Sequence, residues 1–363
     1  MKALLAAPGK GGVRMGNVPD PAPAPDEVKV RVLECGVCGV DQAFVAGRYG
    51  SPPAGRPDLV LGHENLGQVV EVGPAVRGLR VGDQVVATVR RGCGICRCCR
   101  TSRPDFCETG LFTERGIKGR DGYLAEFYVE RSEHLVRVPR PHRLSAVVLV
   151  PLSAAEKAVG QARRVLDLSV GPTGGTGSGA RTGLVAGTSA IGLLAALILA
   201  SEGFEVTAVE RAGEGSPART LLTSIGVRYL NGTSGLSGLG TLRYDLILDA
   251  ACSPRVDFEL TSHLGPNGVL VVTGPPTDPS SEFPVRGGEI LGRLMSQNQT
   301  ILGSMTANRR YYELGLRHLT AFRRRWGTVA EQLVSQRLPW TEYAPVLTGT
   351  GPEGAKTVLT VGR

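Results

Sequence analysis

Residues 182–210 constrain the fold of this chain more than any other stretch. Residues 182–187 (TGLVAG) form a short apolar run of strand type, and a Gly-rich turn follows. A helix is predicted over residues 190–201, and residues 205–210 (EVTAVE) read as a second strand. Further short apolar runs lie at 227–230, 245–249, 269–273 and 300–305, with a loop at 232–240. Strands of this kind separated by helices require a parallel sheet with helices on both faces. The apolar run 183–200 is just long enough to raise a membrane span. Its internal Gly and Thr-Ser make it a strand, a turn and a helix instead.

The turn itself carries chemistry. It reads Gly187-Thr188-Ser189-Ala190-Ile191-Gly192, a G-x-S-x-x-G version of the dinucleotide fingerprint. The first Gly permits a tight turn and the last permits close helix–strand packing. Ser at the middle position is small enough for a pyrophosphate to approach. The helix N-terminus then offers N–H groups to the phosphates. Glu210 ends the next strand, 18 residues after Gly192, where an acid binds ribose hydroxyls. Such a carboxylate repels a 2′-phosphate, so NAD is favoured over NADP. Arg211 beside it leaves dual use open, by stacking on adenine or accepting a phosphate. Ala250, Thr273, Gly274 and Ser304, at the ends of later strands, complete the candidate cofactor set.

The first 150 residues have another character. Residues 27–33 (EVKVRVL) alternate polar and apolar, and 68–72, 84–89 and 124–129 are similar runs between turns. Several short strands at this spacing predict a barrel-like β domain. Residues 20–25 (DPAPAP) are a stiff extended segment. The pattern changes near Pro151. Residues 153–166 have helical spacing, with Ser153 and Glu156 placed as a capping box. A Gly-rich linker is expected over 170–179, and a late helix over 310–325.

Five of the eight cysteines fall between Cys93 and Cys107. Cys93, Cys96, Cys99 and Cys107 give C-x2-C-x2-C-x7-C, which can close a tetrahedron around a structural zinc ion. Eight cysteines are too few for a disulfide scaffold of this length, and no secretory signal opens the chain. A reducing, cytoplasmic location is expected. Upstream, Cys38 lies in GVCGVD and His63-Glu64 in GHEN. A thiolate and an imidazole suit a catalytic zinc site, which needs three protein ligands and an open position. Glu64 is the third ligand or exchanges with water.

Lys and Arg number 41 against 33 Asp and Glu, a net charge of +8. Only six of the 41 are Lys, which reads as an Arg-rich coding bias. The basic runs lack interleaved aromatics, so a nucleic-acid partner is not expected. No membrane partner is expected either.

These segments together resemble the zinc-dependent medium-chain dehydrogenase/reductase superfamily over nearly the whole chain. RRGCGIC, RPDFCETG, PLSAAEKAV and GSMTANRRYY resemble the archaeal-type glucose 1-dehydrogenases in particular. The resemblance implies a GroES-like β-barrel catalytic domain and a Rossmann NAD(P)-binding domain of doubly wound parallel type. The implied boundaries are 1–165 with 306–363 for the first, including a zinc lobe near 90–110, and 180–305 for the second. An active site between the domains, a small-molecule substrate and a homodimer or homotetramer are also implied.

The departures are informative. The family usually has Thr or Ser where this chain has Val40, and that hydroxyl relays the alcohol proton. The subgroup usually has Glu or Gln where Val150 stands. Val89, Ala154 and Thr306 replace groups that tend to contact sugar, while Glu64 and Glu114 remain. Losing three or four such contacts weakens a free hexose by roughly 4 kcal/mol, about a thousandfold.

Three readings follow. The first is a zinc, NAD(P)-linked oxidoreductase for an alcohol/carbonyl pair less polar than a hexose, acting in biosynthesis. In it, bound water, Glu64 or Glu114 handles the proton. True glucose or sugar oxidation is the alternative within this chemistry. The second is an iminium or enone reductase, or a hydride-borrowing isomerase. The third is a cofactor-binding regulatory protein without activity.

Overall fold

The computed structural model describes residues 1–10, 12–170, 180–210, 216–233, 235–275, 281–350 and 355–362. Most of the expected 170–179 linker lies outside them. The chain divides into two compact units. One comprises Met1–Ser153, Thr306–Thr320 and Ala330–Arg363; the other comprises Ala154–Met305 and Ala321–Val329.

The first unit begins with β1 (Lys2–Ala6), β2 (Val13–Asn17), β3 (Glu27–Val37), β4 (Leu59–Val60), β5 (Glu64–Val72) and β6 (Gln84–Ala87). It continues with β7 (Arg90–Arg91), β8 (Thr113–Arg115), β9 (Gly119–Arg120), β10 (Phe127–Arg131) and β11 (Leu135–Arg137). Val28, Val30 and Val32 of β3 are at most 1% exposed, as the alternation of EVKVRVL requires. Each such valine contributes roughly 1.5–3 kcal/mol of burial. They join Leu4, Phe44, Leu61 and Tyr123 in one core.

The second unit holds β12 (Thr182–Ala186), β13 (Glu205–Glu210), β14 (Arg228–Asn231), β15 (Tyr244–Asp249), β16 (Leu264–Thr273) and β17 (Thr300–Ser304). All pairings are parallel, in the order β14-β13-β12-β15-β16-β17. That is the doubly wound order, with its switch point between β12 and β15. The helix Ala190–Ser201 is apolar all round and nearly all buried, which is why it follows β12 into the core. No described helix is long and apolar enough to cross a membrane.

The chain then adds β18 (Gln336–Pro339) and β19 (Thr357–Thr360) to the sheet of the first unit. That sheet runs β11-β6-β5-β3-β19-β18, with β10 also on β3. The β-rich first half and the parallel sheet of the second thus both hold.

Two local expectations are corrected. The strand foreseen at 124–129 is displaced to Phe127–Arg131. Leu124 instead turns back, its amide bonding Leu61 O at 2.9 Å and its carbonyl accepting from Leu4 N at 2.8 Å. The helix foreseen at 153–166 runs Leu149–Val170, so Ser153 is no cap. Its hydroxyl donates back to Val150 O at 2.7 Å, as a mid-helix Ser does.

Candidate functional site

Sheet register assembles the first cluster. β5 and β19 flank β3, with Gly36 opposite both Glu64 and Val358, and Thr357 opposite Val37. Cys38 is the residue after β3, His63 precedes β5, and Lys356 precedes β19. All three therefore arrive at one end of the sheet. A Cβ on Gly36 would lie 2.2 Å from Glu64 Oε2, so only glycine leaves room for that carboxylate.

Ligand atoms of Cys38, His63 and Glu64 lie within 4.8 Å of one another. Cys38 Sγ is 3.3 Å from His63 Nε2. Zinc bonds of about 2.0–2.3 Å at tetrahedral angles put ligand atoms roughly 3.3–3.8 Å apart, so this donor set fits the ion. Cys38 caps the helix Gly39–Val45, its sulfur accepting the Val40 amide at 3.3 Å.

Two partners of this cluster went unassigned in the sequence. Asp41, 1% exposed, accepts the Cys38 amide through Oδ2 at 3.0 Å and meets His63 Nδ1 through Oδ1 at 3.2 Å. It fixes the imidazole with Nε2 turned toward the sulfur. Burial works against a charged imidazole, but Asp41 and Cys38 outweigh it and hold the His63 pKa well above the ordinary value. Lys356, 2% exposed, lies 2.8 and 2.7 Å from the two oxygens of Glu64 and neutralises it. Asp41 was legible as the N3 partner of a capping box. Lys356 lies 292 residues from Glu64 and carries no local signal.

The second cluster is Cys93, Cys96, Cys99 and Cys107, whose sulfurs also lie within 4.8 Å. Cys93 and Cys99 are 3.8 Å apart, the spacing of two thiolates on one zinc. A hydrogen bond from Thr109 and the Cys96 amide draw the Cys93 thiol down to about 6, while burial pushes Cys99 up to about 12. Cys98 stands outside the set.

The third cluster lines the carboxyl ends of the parallel strands, where Ala186 pairs with Val209 and Asp249, and Thr273 with Ser304. Gly187 has φ +88, and a Cβ there would meet the Ala251 nitrogen at 2.8 Å. A Cβ on Gly192 would meet Gly187 O at 2.1 Å. The outer glycines are therefore steric necessities. Ser189 is the N-cap of the helix, with its hydroxyl accepting from the Gly192 amide at 3.5 Å. Serine at the middle position thus has a structural task. Thr188, Ala190 and Ala250 are buried here, Ile191 is half-buried, and Gly274 has φ +80. Thr273 donates to Asp249 O at 2.6 Å and Ser304 to Gln161 Oε1 at 2.8 Å. Glu210 ends β13 as foreseen. Arg211 lies outside the described residues.

The proposed pocket residues fall mainly in the first unit. Val89 and Val150 are buried, and Val40 is half-buried on the Cys38 helix. Ala154 continues the helix of Val150. Thr306 has φ +46 and a buried hydroxyl with no hydrogen bond among the described residues. Glu114 is 1% exposed and ion-paired with Arg90 at 2.9 Å. Arg90 in turn lies 3.7 Å over the Phe112 ring. Arg90 is a third partner that sequence reading did not assign.

Known proteins agree with this architecture. Residues 24–140 match the alcohol dehydrogenase GroES-like domain, and residues 144–361 match the glucose dehydrogenase C-terminus. The glucose 1-dehydrogenase of Methanocella arvoryzae is 38% identical over 368 residues, covering 100% of both chains. That of Metallosphaera sedula is 33% identical over 99% of this chain and 98% of its own. The Haloferax mediterranei glucose dehydrogenase, solved in complex with NADP, Zn and gluconolactone, superposes with a TM-score of 0.88. It is 27% identical and covers 100% of both chains. The chain therefore belongs to the medium-chain dehydrogenase/reductase superfamily, in its glucose dehydrogenase subgroup, as a zinc-type, NAD(P)-dependent oxidoreductase.

Proposed function

We propose that this enzyme interconverts an alcohol and a carbonyl compound less hydroxylated than a free hexose, in biosynthetic metabolism. The observation that carries the substrate class is the state of Glu114. It is one of the polar groups that remain, and Arg90 already engages its Oε1 at 2.9 Å. A sugar hydroxyl would have to share that carboxylate with Arg90 or displace it, and breaking a buried pair outright costs about 3–5 kcal/mol. Val89, Val150 and Ala154 offer no replacement contacts.

Cys38, His63 and Glu64 are the residues that would hold catalytic zinc, with Asp41 orienting His63 and Lys356 balancing Glu64. When bound, zinc supplies Lewis acidity toward the substrate oxygen, and the nicotinamide supplies the hydride acceptor or donor. Val40 has no hydroxyl to relay the alcohol proton. The proton therefore leaves by way of Glu64 or of water. Cys93, Cys96, Cys99 and Cys107 would hold a closed structural zinc. The turn 187–192 would hold the pyrophosphate, and Glu210 the ribose of NAD in preference to NADP.

The test is a kcat/KM comparison of glucose with deoxygenated and aliphatic secondary alcohols, using NAD and NADP. Glucose ranked first by tenfold or more overturns the substrate class. Val40 also favours a second reading, reduction of an iminium or enone, because no alkoxide relay is needed there. Turnover confined to such substrates, in protein with one zinc per chain, would establish it.

We further propose a homodimer or homotetramer in a reducing, cytoplasmic setting. The helix Gly287–Ser296 has no buried residue, its Leu291 and Met295 are 66% and 82% exposed, and β17 is an edge strand of the parallel sheet among the described residues. An uncovered apolar helix face and an open edge strand both suit association. Six candidate zinc-ligating positions are cysteine or histidine, and five of these need reduced thiols.

A further inference from the structure

The small sheet β7-β8-β9 carries different chemistry on its two faces. Side chains alternate along a strand. Arg90 and Glu114 pair on one face. Arg91 lies opposite Thr113, and Arg115 is the direct partner of Arg120, so these three arginines share the other face.

Glu130 is the carboxylate hydrogen-bonded to this group. Its Oε2 accepts from Arg91 Nε at 3.2 Å and from Arg115 Nε and Nη2 at 3.0 and 2.8 Å. Arg91 commits its remaining donors to Thr88, Arg90 and Tyr123. Arg115 gives its own to the carbonyls of Asp121 and Val129. The guanidinium of Arg91 is thus fully engaged, and that of Arg115 has every nitrogen bonded.

Arg120 is not so engaged. It is half-buried, yet its guanidinium has no hydrogen bond or ion pair among the described residues. Three guanidinium groups against one carboxylate leave two positive charges uncompensated. Tyr123 is neutral there, its hydroxyl donating to Thr88 O at 2.9 Å. His134 is neutral too, because burial and the charges of Arg91, Arg120 and Arg115 push its pKa down to about 3. A half-buried cation whose donors are left to water is repelled by the like charges beside it. A planar fork of five donors is also the shape that grips an oxyanion in two places.

We propose that Arg120, backed by Arg115 and Arg91, forms an oxyanion site for a phosphate group, on the sheet face opposite Glu114. The site is independent of the substrate reading above. An anion there neutralises the excess charge and takes up the donors that the protein leaves open.

The experiment uses zinc-loaded protein saturated with its nicotinamide cofactor, so that the cofactor's own phosphate contacts are filled. Inorganic phosphate and glycerol 1-phosphate are titrated separately, by calorimetry and by melting temperature. Wild type should bind one anion per chain and melt higher with it. Arg120→Gln should weaken binding at least tenfold, yet melt at or above wild type in anion-free buffer, because it removes like-charge repulsion. A merely structural Arg120 predicts the reverse: a lower melting point and an unchanged anion response. Arg120→Lys, which keeps the charge and loses the fork, should weaken binding less than Arg120→Gln. Tight binding of the ester identifies a phosphorylated metabolite as the ligand; binding of the free ion alone identifies inorganic phosphate. In wild type, phosphate should also shift the His134 ring resonances. Unmoved His134 signals, or equal binding by Arg120→Gln, would overturn the proposal.

Discussion

At the scale of single residues, the proposed zinc cluster depends on what holds its candidate ligands. Asp41 spans two of them, taking the Cys38 amide and the His63 ring nitrogen. Asp41→Ala should lower zinc affinity at the Cys38 site by about 10–100-fold, the usual effect of removing a group that orients a ligand. Zinc stoichiometry by mass spectrometry after graded chelation reads this directly. Cys38→Ala and His63→Ala should abolish turnover while leaving the second zinc in place. Val40 is the other revealing position. Val40→Thr supplies a hydroxyl at the start of the Cys38 helix, and general acid–base relays contribute about 10²–10⁴-fold. If the proton now leaves by a slower route, alcohol oxidation by this variant should rise at least tenfold at neutral pH. An unchanged pH–kcat profile would place the relay elsewhere. Cys38, His63 and Glu64 were legible in the sequence because thiolate, imidazole and carboxylate are rare together without a metal. Of their hydrogen-bond partners, Asp41 showed only as a capping-box acid and Lys356 not at all, because their roles appear only when the fold buries them.

Among elements, the four-cysteine lobe and the parallel strands behave differently. The lobe was legible from spacing alone, since close thiols must find a metal or one another. Cys99→Ser should cost one zinc per chain and lower the melting temperature, with the Cys38 site still loading. The strand ends needed the structure. At the end of β15, Asp249 is fully buried, and burial together with Asp257 raises its pKa to about 7. Such an acid keeps a proton that the unfolded chain loses near 3.8. Folding therefore takes up protons between those values, and stability falls as pH rises from 3.8 toward about 7. Asp249→Asn removes this dependence while still accepting the Ala251 or Cys252 amide. Its melting temperature should gain on wild type by a few °C between pH 5 and pH 8, on the scale of about 2–4 °C per kcal/mol. A constant difference across that range would refute the assignment. The helix at Leu149–Val170 shows the limit of capping patterns. Ser153 and Glu156 had the right spacing, but apolar Leu149 and Val150 extend the helix backward because their burial outweighs the cap.

For the whole molecule, association is the open quantity. Leu291→Glu with Met295→Glu should shift sedimentation toward monomer, since both residues stand exposed on one helix. A wild-type chain that sediments as a monomer would overturn the proposed assembly. Periodicity by itself determined the two architectures, because apolar residues must line one face of each element whatever the neighbours. The G-x-S-x-x-G turn and both candidate metal-ligand sets were also readable in the sequence, because those chemistries demand particular residue types. The tertiary structure alone decided which charges meet. Antiparallel register brings Lys356 onto Glu64 across 292 residues and joins Arg90 to Glu114, and the fold gathers Arg91 and Arg115 onto the one carboxylate of Glu130. Electrostatic partnership is a property of distance in space, and no local pattern in the chain records it.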